Sequence, residues 1–300
     1  MQQDENKYYV KLNNEYIKGD LKLTSKELAI MILLCQTKNL NNQSIFTIQY
    51  LMDKLGYECE SNPSRNLKFI RDILIQLEKD GILRFYKDII ESKDNLVQAK
   101  TLNRSKYCIA TDDMLPQEYT MLYNQDIENI IEYCNNNPLD RYKLLHLYTY
   151  ICCHISNNKQ NENYKLCYMT INKLSEELEF RNETIYKYLD ALDDKLKIIY
   201  HDYAGYGYTN NIIKSQVTHY CRYEDKEILN NKLNEIRKDK NIKESNYEKR
   251  KLIHKKISVK QKINYLKNKE NKNTITDIEN EKLEQLKDEY ENINTNILNL

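Results

Sequence analysis

Arg65, Asn66, Lys68 and Arg71 stand close together on an apolar-striped segment, and their side chains carry the chemistry of phosphate and base-edge recognition. A guanidinium bonds bidentately to the edge of guanine, and an ammonium or guanidinium neutralises phosphate oxygens. Leu67, Ile70, Leu74 and Leu77 recur at helical spacing and define the buried side. The opposite side then carries Arg65, Lys68, Phe69, Asp72 and Gln76, with Arg71 on the flank. A second stretch has the same stripe in Ile185, Leu189 and Leu192, but its outward residues are Glu183, Lys187, Asp190 and Asp194. Three carboxylates beside phosphates repel, so only Arg181, Asn182 and Lys187 could contribute there. A dimer or interdomain role is the competing reading of that helix.

Further candidates lie outside the two helices. Lys100, Arg104 and Lys106 belong to an expected hairpin that could reach phosphates from the minor groove. Tyr203, Tyr206, Tyr208 and Lys214 belong to a second hairpin, where tyrosines could stack on bases or serve as ordinary strand residues. The run from Lys249 to Lys262 holds seven Lys/Arg and no acid, including Lys249, Arg250, Lys251, Lys255 and Lys256. Such a run grips phosphates without sequence preference, or it pairs with an acidic helix nearby. For every group a solvated face is the plain alternative.

Elements that position these residues are readable from a repeat. Phe46-Thr47-Ile48 returns as Met169-Thr170-Ile171, and Leu51, Leu55 and Tyr57 return as Leu174, Leu178 and Phe180. Each copy is followed by a helical stripe and then a strand-rich tail, Ile82 to Tyr86 or Ile198 to Tyr200. Thr24 and Glu27 form a capping box for a helix through Leu34, and Thr47 caps the next. Asn62-Pro63 opens a third helix that Gly81 stops, whereas Leu196-Lys197 stands where the second copy would end in glycine. A capped helix, a turn, a longer helix and a hairpin is the order of a winged helix-turn-helix. The expected fold is therefore mainly helical α+β, with winged-helix domains at 1–111 and 139–223 and a helical connector at 112–138. Residues 224–300 read as a charged helical hairpin or coiled coil. Their stripes are Leu252, Val259, Ile263 and Leu266, then Leu283, Leu286, Tyr290, Ile293 and Ile297.

Composition excludes several classes of chemistry. Five glycines cannot build a phosphate-cradling glycine-rich loop or a dinucleotide fingerprint. Eight cysteines contain no Cys-x-x-Cys, so neither a disulfide framework nor a zinc ribbon is expected. Cys152, Cys153, His154, His146 and Cys167 lack paired-ligand spacing and read as buried groups. No metal, cofactor, catalytic constellation or small-molecule substrate is expected, and neither is a signal peptide or membrane span. The net charge of +1 hides a segregation: residues 226–272 hold sixteen Lys/Arg against six Asp/Glu, and residues 273–300 hold two against seven. Residues 1–225 are mildly acidic, so contact with nucleic acid there depends on local basic patches.

With Leu23-Thr24-Ser25-Lys26-Glu27-Leu28, Phe46-Thr47-Ile48 and Leu77-Glu78-Lys79-Asp80-Gly81-Ile82-Leu83, the chain resembles two related families. These are the tandem winged-helix replication initiators of low-GC bacterial plasmids and phages, and the winged N-terminal module of DnaD-type primosomal proteins. The resemblance spans about residues 8–111 and, more weakly, 139–220. It implies sequence-specific binding of double-stranded DNA at an origin and recruitment of host replication proteins, in the cytoplasm on nucleoid or plasmid. A homodimer is compatible with it. A transcription regulator of the same fold, or a replication scaffold with weak DNA affinity, are the alternatives.

Overall fold

A computed structural model describes residues 8–57, 63–112, 118–209, 212–215, 217–239, 244–272 and 274–298. It is mainly helical with small sheets and divides into two compact units, residues 1–201 with 219–229 and residues 202–218 with 230–300. The boundaries read from the sequence follow the repeat, whereas the first unit takes in the first copy, the segment that follows it and the second copy apart from residues 202–218.

The chain enters through β1 (Tyr9–Asn13) and a single turn, α1 (Glu15–Lys18). The first copy then runs α2 (Ser25–Gln36), β2 (Gln43–Phe46), α3 (Ile48–Lys54), α4 (Pro63–Lys79), β3 (Arg84–Tyr86), β4 (Leu96–Val97) and β5 (Cys108–Thr111). Local chemistry sets the boundaries. Thr24 Oγ1 accepts from Glu27 N while Glu27 Oε2 accepts from Thr24 N at 2.9 Å, which is the expected capping box. Thr47 Oγ1 accepts from Tyr50 N at 2.9 Å to open α3. Gly81 takes φ +71° after α4, the left-handed conformation that glycine adopts without penalty.

Between the copies, β6 (Tyr119–Tyr123) pairs antiparallel with β1, Tyr9 opposite Tyr123, and leads into α5 (Asn124–Asn136). The second copy runs α6 (Arg141–His154), β7 (Cys167–Met169), α7 (Ile171–Leu178), α8 (Asn182–Asp190), β8 (Ile199–Tyr203), β9 (Tyr206–Thr209), β10 (Ile212–Ser215) and β11 (Thr218–Arg222). Strand order is β2-β5-β3-β4 in the first sheet and β7-β11-β8 in the second, so the last strand of each copy lies between its first two. The sequence expects one long hairpin from 198 to 220. Instead β9 and β10 form their own two-stranded ribbon after Ala204-Gly205, where Gly205 takes φ +108°.

The end of α8 differs from that of α4 by one residue. Ile82 N bonds back to Leu77 O in the first copy, but Ile198 N bonds to Leu192 O in the second. The extra residue is absorbed by a π-helical turn, Ala191–Lys195, with Leu196 N reaching Ala191 O.

Helices α2 and α6 are apolar on nearly every side, and helices of that kind are buried on every side. Leu28 to Leu34 and Leu144 to Tyr148 are almost wholly inaccessible, and the two helices pack on each other. One continuous core therefore runs through both copies. Burial of each Leu or Ile side chain contributes about 1.5–3 kcal/mol, so the shared core outweighs any surface contact. Ser25 Oγ meets His146 Nδ1 at 2.9 Å across the copies, and Lys54 Nζ donates to Glu128 Oε1 of the intervening α5 at 2.8 Å.

In the second unit, α9 (Lys226–Asp239), which begins within the first unit, is followed by α10 (Glu244–Asn271) and α11 (Asp277–Leu298). The last two form the expected antiparallel hairpin, with Val259, Ile263, Leu266, Leu283, Leu286 and Ile293 as its core. Thr276 and Glu279, whose Thr-x-x-Glu spacing in the sequence predicts a capping box, form one. No described helix is long and apolar enough to cross a membrane.

Candidate nucleic-acid interface

Along α4 the solvent side carries Arg65, Lys68, Asp72, Gln76 and Lys79, all exposed, while Ile70, Leu74 and Leu77 face the core. Gln76 Nε2 bonds to the Asp80 carboxylate at 2.8 Å, which leaves Asp72 among three cations on the stripe. Arg71 is half-buried and turned away from that stripe: its Nη2 donates to Leu102 O at 3.1 Å. Arg104 is committed in the same way. Its Nε meets Gln49 Oε1 at 2.5 Å, and Gln49 N donates to Arg104 O at 2.9 Å. Ala99 N donates to Glu78 Oε2 at 3.1 Å. These bonds lay the segment 98–104 along the flank of α3 and α4, with Leu102 buried beneath it.

The sequence expects strands near 82–90 and 106–111, and the first hairpin is shorter than that. β3 stops at Tyr86, and the tip is residues 87–95, with Ile89 and Ile90 exposed. Gln43 Nε2 holds that tip through Ile89 O and Glu91 Oε1, both at 2.8 Å. Lys100 and Lys106 are exposed, but on the returning segment rather than at the tip. Two short 3₁₀ turns, Lys93–Asn95 and Ala99–Thr101, make this bend, and no glycine or proline announces them.

On the other flank of α4, Asn66 and Phe69 are half-buried against the corner that precedes α6. Phe69, expected on the solvent side, lies 5.9 Å from Tyr142 and 6.1 Å from Tyr57, both edge-on. The hydroxyls of Tyr57 and Tyr142 are 2.5 Å apart. Burial is the first cause, and the Tyr57 bond the second, of a Tyr142 phenol held well above its ordinary range. This aromatic cluster joins the copies, and sequence periodicity could not reveal it because its members come from α4, α6 and the segment after α3.

The second copy presents its candidates differently. Arg181 precedes α8 and is exposed; Asn182 Nδ2 reaches Asn172 Oδ1 at 3.2 Å. Lys187 is exposed and its Nζ lies 3.5 Å from Pro138 O. Glu183, Asp190 and Asp194 share the outward face, as the spacing predicts. Thus α4 and α8 border the same corner, residues 138–142, from opposite copies. The side chains of Tyr206, Tyr208 and Lys214 lie outside the described residues.

In the hairpin, part of the basic run meets the acidic helix. Lys255 Nζ is 2.9 Å from Glu289, Lys269 bonds Glu279, and Lys256 Nζ sits 5.4 Å above the Tyr290 ring. The Lys269 bond lowers the Glu279 carboxyl and raises the Lys269 ammonium. Lys260 and Lys262 are exposed. The side chains of Lys249, Arg250 and Lys251 lie outside the described residues.

The buried thiols are protonated at neutral pH. Burial pushes Cys35 and Cys152 up to about 11 and Cys108 to about 12, which is the opposite of what a nucleophile or a metal thiolate needs. Cys59 lies outside the described residues. Among the described residues no group of three His, Cys, Asp or Glu is placed to hold a metal ion. No family model, curated protein or solved structure matches the chain.

Proposed function

We propose that the first unit is a pair of winged helix-turn-helix domains fused through α2 and α6, and that it binds double-stranded DNA in a sequence-specific manner. The observation that carries this reading is the exposed stripe Arg65, Lys68 and Lys79 on α4, the second helix of the helix-turn-helix pair, with Ile70, Leu74 and Leu77 locked into the core behind it. A helix held rigidly from behind and cationic in front suits a major groove, where phosphate contacts orient and a guanidinium reads guanine. The repeated order of helix, strand, two helices and a closing set of strands, three in the first copy and four in the second, and the central position of β5 and β11, support the winged-helix assignment. The acidic outward face of α8 makes the first copy the base reader and leaves the second to phosphate contact by Arg181. In the cell this activity serves replication initiation at a plasmid or phage origin, where bound protein recruits host replication proteins.

Selection of duplexes from a random pool by the full chain, followed by titration, tests the reading. An enriched site is expected, and Arg65→Ala or Lys68→Ala should weaken it by about 1–3 kcal/mol. If no sequence is enriched, or if both variants bind the enriched site like wild type, the assignment fails. A plasmid carrying the enriched site and this gene should replicate in a host lacking another initiator for it; a plasmid that fails to do so argues against the replication role.

A further inference from the structure

Beside the α4 stripe lies a cleft of about 590 Å³ within the first unit. Lys26, Arg65 and Arg141 bring three cations to it, and Tyr57, Phe69 and Tyr142 line it with rings. Its one carboxylate, Asp140, is already used as the N-cap of α6, accepting from Tyr142 N at 2.9 Å and Lys143 N at 3.2 Å. Among the described residues none of the three cations forms an ion pair. Nη1 of Arg141 is shielded from water and meets no acceptor, although buried donors are nearly always satisfied. Lys26 Nζ lies 5.1 Å from the Phe69 ring centre, and the Arg141 guanidinium 5.4 Å from that of Tyr57. At the cleft the Phe69 and Tyr57 rings, which pack from behind on the core that holds Tyr142, are thus faced by the Lys26 ammonium and the Arg141 guanidinium.

Unpaired cations beside aromatic faces suit a ligand that is at once anionic and planar. We propose that the cleft takes one unpaired nucleotide of a DNA strand, its base on the Phe69 face and its phosphate between Arg65 and Arg141. Stacking on an aromatic ring tolerates any base, and a guanidinium bonds a phosphate bidentately. Entry of the base displaces Lys26 from Phe69, and the released ammonium follows the phosphate. The proposal rests on the duplex-binding reading, because Arg65 belongs both to the exposed stripe of α4 and to the cleft. A strand opened next to a bound duplex would meet the cleft at that residue.

The test uses the full chain with a thymidine oligonucleotide bearing one 5-iododeoxyuridine, the enriched duplex, and free thymidine monophosphate as competitor. Photocrosslinks are expected in peptides carrying Tyr57, Phe69 or Tyr142. Arg141→Gln and Lys26→Gln should each weaken the single strand by roughly tenfold, the scale of one lost charge-assisted contact, while duplex affinity stays within about twofold. Crosslinks confined to other peptides, or single-strand binding unchanged in both variants, overturn the proposal. So does thymidine monophosphate binding as tightly as the oligonucleotide, which would make the ligand a free nucleotide. The wild-type crosslink map decides the matter even where a variant fails to fold. Duplex binding without cleft crosslinks would sink only this inference, and cleft crosslinks without duplex enrichment would sink only the duplex reading.

Discussion

His146 shows how one residue couples the copies to solution conditions. Its Nδ1 pairs with Ser25 Oγ at 2.9 Å, and its Nε2 is buried without a partner. Burial first, and the Lys22 ammonium second, lower it from 6.5 to about 4. The folded protein therefore keeps the ring neutral through a range where the unfolded chain takes a proton. Stability is unaffected above pH 6.5 and is lost as pH falls from there toward 4. At pH 5 the loss from this group is about 2 kcal/mol, since each tenfold difference in proton affinity between the folded and unfolded chain is worth about 1.4 kcal/mol. Denaturant midpoints at pH 7 and pH 5 for wild type and His146→Gln measure it. The variant should lose about 2 kcal/mol less than wild type between the two pH values; equal losses would show that the ring is protonated in the fold.

At the scale of elements, the two ends of the paired third helices pose a controlled comparison. Gly81 takes φ +71° after α4, while Lys197 takes φ +53° after the π turn of the second copy. A side chain in the left-handed region costs about 1 kcal/mol, and glycine avoids it. Lys197→Gly should accordingly stabilise the protein by roughly 0.5–1 kcal/mol, the larger freedom of glycine in the unfolded chain offsetting part of the relief. Gly81→Ala is the mirror experiment, because a Cβ there meets nothing within 4 Å and only the backbone penalty remains. It should cost about 1 kcal/mol, read as a lower urea midpoint at unchanged slope. If both substitutions move the midpoint in the same direction, the conformational account is wrong.

The same elements show what a sequence discloses. The caps at Thr24, Thr47, Thr170 and Thr276, and the stripe Ile70, Leu74 and Leu77, were legible because capping and amphipathicity are written within a few residues. Pairing of β1 with β6, and the bonds of Arg71 to Leu102 and Arg104 to Gln49, join residues far apart in sequence. No local rule distinguishes an arginine that reaches solvent from one that ties down a loop. The aromatic cluster Tyr57, Phe69 and Tyr142, which borders the cleft, was invisible for the same reason. The π turn was foreshadowed only by Leu196-Lys197 standing where the first copy has glycine.

For the whole molecule, the decisive fact is that the described apolar core falls into two separate clusters. One runs through both copies of the repeat, and the other holds α10 to α11 through Val259, Ile263, Leu266, Leu283, Leu286 and Ile293. The hairpin cluster is small, so its stability is marginal, and burying a Leu or Ile contributes only about 1.5–3 kcal/mol. Lys255–Glu289 is an exposed pair and adds at most about 1 kcal/mol. Placing carboxylates at both Leu286 and Ile293 removes two of the six buried side chains and forces charge into what remains. Leu286→Asp with Ile293→Asp should therefore open the hairpin without unfolding the first unit. Circular dichroism of the full-length variant should show a loss of helical signal at low temperature. The main melting transition, which belongs to the larger core, should stay within a few degrees of wild type. Limited proteolysis should cut the variant first within residues 244–298 and spare a fragment containing both copies. A variant that keeps its full helical signal, or one that loses the main transition as well, would show that the two clusters do not unfold independently.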